Sequence, residues 1–282
     1  MKSQIVYKIQ RIFTNTIIHL LLLTVAVSCL YPMLWVAASS LKTQETVFKD
    51  TSLVPREWRF QNYVQAWREG GFGRHFLNSL VYTVLVVMGI VLVSSLAAYG
   101  FSRLEFPGRN AIFYIFLLAM MIPVPGSFVA LYALLNKLRL RNTEVGYILA
   151  MINVGLSTSI FLLKTFFDKT PKELEDAARI DGCSKFGIWW NVALPLAKPV
   201  LAVVVVFNAL NVWNEYLLAL LIFDDRPKMP LQVALQTFQG EFLTNYPLLM
   251  AGLTITAVPI IILYLLMQKY IVKGVTQGAI VG

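Results

Sequence analysis

Six apolar runs dominate the hydropathy pattern, at residues 17–38, 77–101, 111–135, 145–167, 200–223 and 248–269. Each is long enough to cross the hydrocarbon core of a bilayer as a helix, which takes about 20 residues. Between the fourth and fifth runs lies a long segment that is polar and charged, residues 170–199. The other connections are short, apart from polar loops at 39–75 and 224–247. The pattern predicts an all-α integral membrane protein of six transmembrane helices, forming a single domain over 1–282. Pro123, Pro125 and Gly126 fall inside the third run and are expected to kink or break it. A short helix near 61–68 is expected to lie on the membrane surface. The tail 270–282 reads as a short Gly-rich end.

Composition supports this reading. The 282 residues are 57% hydrophobic and only 14% charged, against about 25% charged in soluble domains. The net charge of +9 has no polybasic run behind it and sits in loops, which fits anchorage to lipid headgroups rather than nucleic acid. Lys and Arg divide almost evenly between the two sides, so charge alone orients the chain weakly. Cys29 and Cys183 fall at different levels of the predicted membrane, which argues against a disulfide. His19 and His75 have no Cys or carboxylate cluster beside them, and no metal site is expected.

The polar segment TPKELEDAARIDGCSKFGIWWNVALPLAKP has clear local grammar. Thr170, Pro171 and Glu173 read as a capping box opening a helix. Glu175 and Arg179 stand at i, i+4 in the favourable order. Gly182 is placed to stop that helix. Ser184 can cap a second short helix bearing Phe186, Trp189 and Trp190, with Pro195 as its end. Two short helices with a bend are predicted, the first charged and the second aromatic.

The spacing within this segment carries a resemblance. Asp176-Ala177-Ala178, three residues, Gly182, nine residues, then Val192-Ala193-Leu194-Pro195 resembles the EAA loop of ABC importer permeases, with Asp for Glu and Val for Ile as mild departures. The segments YPMLWVAASSLK (31–42), NSLVYT (78–83), AAYGFSRLEFPGRN (97–110), WNEYLLAL (213–220) and KGVTQGAIVG (273–282) are similar to the carbohydrate-uptake, maltose-type branch of that family. The resemblance implies that the loop is a cytoplasmic coupling helix between helices 4 and 5, docking on a separate ATP-hydrolysing subunit. It assigns the coupling role to Glu173, Glu175, Asp176, Ala177, Ala178, Arg179, Asp181, Gly182, Leu194 and Pro195. It further implies a second homologous permease, two copies of an ABC ATPase carrying ATP and Mg, and an extracytoplasmic sugar-binding protein. The location implied is the bacterial plasma (inner) membrane, multi-pass, with both termini cytoplasmic.

Polar residues inside the fifth run mark a second candidate site. Asn208, Asn211, Trp213, Asn214 and Glu215 sit where polar groups are expensive, so they are expected to line a translocation path or a partner interface. Residues 208, 211 and 215 would share one helical face, and Trp213 and Tyr216 could stack on sugar rings. The chain has no G-x-x-x-x-G-K-[ST] phosphate loop, no G-x-S-x-G and no H-E-x-x-H. It is expected to bind no cofactor of its own and to be a transport subunit rather than an enzyme. A permease for a non-sugar solute, and a stand-alone secondary transporter, are the rival readings; Glu215 as the lone carboxylate within the spans and the lack of internal repeats count against the second.

Overall fold

A computed structural model describes residues 2–121, 124–240 and 244–279. The elements in chain order are α1 (Lys2–Ser39), α2 (Gln61–Glu69), α3 (Phe72–Arg103), α4 (Arg109–Met121), α5 (Val124–Lys137), α6 (Glu144–Lys169), α7 (Glu173–Ile180), α8 (Lys185–Ile188), α9 (Leu194–Leu196), α10 (Lys198–Trp213), α11 (Leu217–Ile222), α12 (Leu231–Ala234) and α13 (Tyr246–Ala279). Among the described residues there is no strand, only an isolated bridge between Gln239 and Thr244. Among the described residues, four helices are long and apolar enough to span a membrane: α1, α3, α6 and α13. The helical stretch 185–213 makes a fifth if its two parts, bent by 78°, count as one span.

The differences from the predicted spans have local causes. Helix α1 starts at Lys2, so the polar N-terminal stretch is the first turns of the first long helix. Within the third run, α4 is described to Met121 and α5 from Val124. Pro123 itself lies outside the described residues. The fifth run is two pieces, α10 and α11, separated at Asn214–Tyr216. The last helix runs ten residues past the expected end of its span, to Ala279; residues 280–282 lie outside the described residues.

Contacts divide the chain into two compact units, Met1–Gly70 with Thr237–Ile255, and Gly71–Gln236 with Thr256–Gly282. In the first, the turn after α1 is tied by buried Lys42, whose ammonium donates to the carbonyls of Asp50 and, at 2.7 Å, Ser52. Asn62 of α2 donates to the Ser40 and Lys42 carbonyls, fixing the surface helix to that turn.

The second unit holds the apolar core and both candidate sites. Helices α3 and α6 pack along each other, and α10 lies against both. Tyr82, Tyr147 and Phe223 stack at the junction of α3, α6 and the end of α11, with ring centroids 5.0–6.0 Å apart. The connection after α11, read from sequence as a polar loop, is folded back onto α3. Its carbonyls accept from Arg74, Asn78 and Tyr82, the backbone N–H of Leu231 donates to Ser79, and the His75 ring meets the Met229 carbonyl at 2.7 Å. Met229, Leu231, Val233 and Leu235 are buried, because the α3 side chains satisfy the backbone groups that would otherwise need water. At its start, the Lys228 ammonium holds the Asp225 carboxyl below the ordinary carboxylate range.

Candidate functional site: the α6–α10 loop and the break in the fifth run

The loop from Thr170 to Ala197 begins differently from the capping box expected. Thr170 precedes Pro171, which disfavours helical backbone, and it sits extended at φ −76° and ψ 131° as the end of α6. Its hydroxyl donates back to the Phe166 carbonyl at 3.0 Å. Helix α7 opens at Lys172 without a side-chain cap. Glu175 is also not the partner of Arg179. Its side chain is 7% exposed and meets Arg103 Nε at 2.6 Å, while Tyr99 donates to its second oxygen at 3.1 Å. Arg179 instead pairs with Asp176 at the surface, 2.6 Å away. Such an exposed pair adds only about 0–1 kcal/mol, so it orients charge more than it stabilises.

The end of α7 follows the sequence closely. Gly182 has φ +84°, the left-handed region where a side chain is strained. Its N–H bonds the Arg179 carbonyl and the Cys183 N–H bonds the Ala178 carbonyl, the paired bonds of a Schellman stop. Ser184 then accepts from the Gly187 N–H at 3.1 Å and caps α8. The helix passes through a π-turn at Trp189–Ala193 and continues beyond Pro195 to Leu196. Pro195 therefore does not end it. The widened turn accommodates the missing proline N–H, and the chain bends at Ala197 into α10.

Burial sorts the loop into two faces. Glu175, Ile188, Trp189 and Ala193 face inward and are buried, with Ala178 and Leu194 packed against the same core. Glu173, Asp176, Ala177, Arg179, Asp181 and Pro195 are exposed. Four large apolar side chains of the loop are left exposed: Leu174, Phe186, Trp190 and Ile180, the last 87% exposed. Exposed apolar side chains rimmed by charge are what a docking helix presents to a groove.

The polar residues of the fifth run do not form one face. Asn208 is buried, donating to Ser159 Oγ at 3.0 Å and to the Val204 carbonyl at 2.8 Å. Asn211 is exposed. Trp213 is buried, with its indole N–H on the Thr256 carbonyl and its ring edge-on to Phe76. Helix α10 ends there, so Glu215 leaves the helical register. Its two oxygens accept from the N–H groups of Leu218 at 2.6 Å and Ala219 at 3.0 Å. A carboxylate thus satisfies the free donors that the break creates at the start of α11. Asn214 and Tyr216 at the break hydrogen-bond Gln232 and Gln236 of the folded-back loop. Those two glutamines were not singled out from sequence. Among the described residues no group of His, Cys, Asp and Glu could hold a metal ion.

Long apolar helices joined by a loop of short helices with exposed charged and apolar side chains define a multi-pass membrane protein. Residues 69–277 match the model of the binding-protein-dependent transport system inner membrane components, and the chain belongs to that family. It is 36% identical to the probable ABC transporter permease protein YurM of Bacillus subtilis, over 95% of this chain and 89% of that one. It is 34% identical to the diacetylchitobiose uptake system permease protein NgcG of Streptomyces coelicolor, over 92% and 87% respectively. A further relative is the melibiose/raffinose/stachyose import permease protein MelC of Bacillus subtilis, 31% identical over 94% and 96%. Among solved structures it resembles a chain from a bacterial ABC transporter involved in the import of the acidic polysaccharide alginate, with TM-score 0.80, 25% identity and coverage of 93% and 97%. The chain is a multi-pass protein of the bacterial inner membrane, and ATP hydrolysis belongs to another subunit of the importer.

Proposed function

We propose that this chain is one of two homologous permease subunits of an importer for oligosaccharides or related carbohydrates. The observation that carries the substrate class is similarity over nine-tenths of the chain to permeases named for diacetylchitobiose and for melibiose, raffinose and stachyose. Two ATPase copies and an extracytoplasmic sugar-binding protein complete the assembly. In this reading the two compact units work together as one permease domain over 1–282. The chain crosses the membrane six times: α1, α3, the α4–α5 pair, α6, α10 with α11, and α13. Both termini and the 170–199 loop face the cytoplasm.

The loop is the coupling element. Exposed Glu173, Asp176, Ala177, Arg179 and Asp181, with Ile180 at their centre, seat in a cleft of the ATPase. Gly182, Leu194 and Pro195 set the angle at which that face is offered. When the ATPase pair closes on ATP, the seated helices are displaced, and the two permeases convert an inward-facing cavity into an outward-facing one. No covalent chemistry is required of this chain. Along the fifth run, Asn208, Trp213 and Glu215 support the wall of the path from within. Asn211 and Asn214 are the members of that set exposed to a solute or to the partner permease.

The test is reconstitution with the ATPase and binding protein in vesicles, followed by uptake of labelled di- and oligosaccharides with and without ATP. ATP-dependent uptake of at least one of them is expected; ATP-dependent uptake of an amino acid or peptide alone would reject the sugar assignment. In the same system Gly182→Leu is expected to uncouple hydrolysis from uptake. A left-handed backbone costs a bulky residue about 1–2 kcal/mol, so the loop re-angles while the subunit still inserts. Normal uptake by that variant would count against a fixed loop angle.

A further inference from the structure

We propose that Glu175 and Arg103 are positioning residues that fasten the coupling helix to the cytoplasmic end of α3, so that movement of α7 is delivered to α3. This rests on the transport reading above and assigns Glu175 a role distinct from docking. Helix α7 has eight residues, too few to be stable alone, and a pliable joint flanks each end. One is the extended Thr170–Pro171 step, the other the left-handed Gly182. A push on such a helix would be absorbed by pivoting at those joints unless the helix were held between them.

The structure holds it in the middle. Tyr99 and Arg103 lie one turn apart on α3, and each takes one oxygen of Glu175. The same guanidinium donates through its other arm to the Thr170 carbonyl at 2.7 Å, which ties down the first joint as well. Both charged side chains are more than nine-tenths buried, at 6% and 7% exposure. Buried in this way, Glu175 is not available to an outside subunit, whereas its neighbour Asp176 is. A buried ion pair adds little net stability but makes separation costly, because either partner alone is a stranded charge. That is the property of a latch: it resists sliding and pivoting more than it strengthens the fold. Helix α3 runs 32 residues from this latch to the turns that bind the folded-back loop.

The experiment compares wild type, Glu175→Leu, and the double variant Arg103→Met with Glu175→Leu in the assembled importer. Uptake per ATP hydrolysed is measured, together with the rate of tryptic cleavage at Lys172 and Arg179 in the purified subunit. Glu175→Leu strands the Arg103 cation, and uptake per ATP is expected to fall about tenfold or more while cleavage accelerates comparably. The double variant replaces the pair by apolar packing and is expected to recover both readouts to within about threefold. A single variant with the wild-type uptake-per-ATP ratio would overturn the proposal, even if its melting temperature fell. A double variant no better than the single one would also overturn it, since the carboxylate would then serve a partner. If the wild-type complex takes up nothing, the transport reading falls, and the cleavage rates alone decide whether the pair anchors α7.

Discussion

Ile180→Glu is expected to abolish ATP-driven uptake while leaving the folded subunit intact. Ile180 is the last residue of α7 and is 87% exposed, so the substitution disturbs no packing within the chain. Surface changes of this kind usually alter stability by less than about 0.5 kcal/mol. In the complex the same side chain would sit at the centre of a desolvated cleft. A charge buried there without a partner costs about 2–4 kcal/mol, or roughly a 30- to 1,000-fold weaker association. Recovery of the ATPase with the tagged permease and the thermal melt of the isolated subunit report the two halves of this expectation. An unchanged melt with the ATPase lost fits the docking role; full ATPase recovery would place the contact elsewhere on the loop.

Gly155→Ala is expected to have the opposite profile, damaging the fold first and transport as a consequence. A Cβ at this position would lie 2.2 Å from Asn208 Oδ1 and 2.4 Å from Ile90 Cδ1, where α6, α10 and α3 meet. The asparagine cannot easily yield, because its amide is committed to Ser159 and to the Val204 carbonyl. Overpacking costs about 1–3 kcal/mol and a broken buried hydrogen bond about 1–3 more. A clear drop in melting temperature should follow, partly reversed by adding Asn208→Ala, which removes the obstructing group. Gly100→Ala, whose Cβ would meet nothing within 4 Å among the described residues beyond its own turn of helix, is the matched control and should be neutral or slightly stabilising.

These expectations show which parts of the molecule were readable from sequence. Gly182 and Ser184 were legible because a helix stop and a cap are rules about neighbouring residues. The long helices were legible because the bilayer fixes their length. Glu175 was not, since its partner Arg103 lies 72 positions earlier. The available signal was Arg103 itself, a cation in the last turn of an apolar helix beside Tyr99 that had to find an anion. Helix rules also misread Thr170, where the following proline decides the backbone, and Pro195, where a π-turn removes the conflict. The break after Trp213 was hidden because no proline or glycine marks it within the run. Glu215 was noticed as a buried charge, but its work is to cap the next helical piece. Asn208 was noticed as a polar group at depth, and it proves to be committed within the bundle.

The most direct test of the central claim is to tag this chain, extract it gently from its native membrane, and identify what accompanies it by mass spectrometry. The account predicts an ATPase with a G-x-x-x-x-G-K-[ST] loop and a second permease bearing its own EAA loop, the ATPase but not the permease being lost from Ile180→Glu. A chain recovered alone, moving solute in vesicles without ATP, would contradict it.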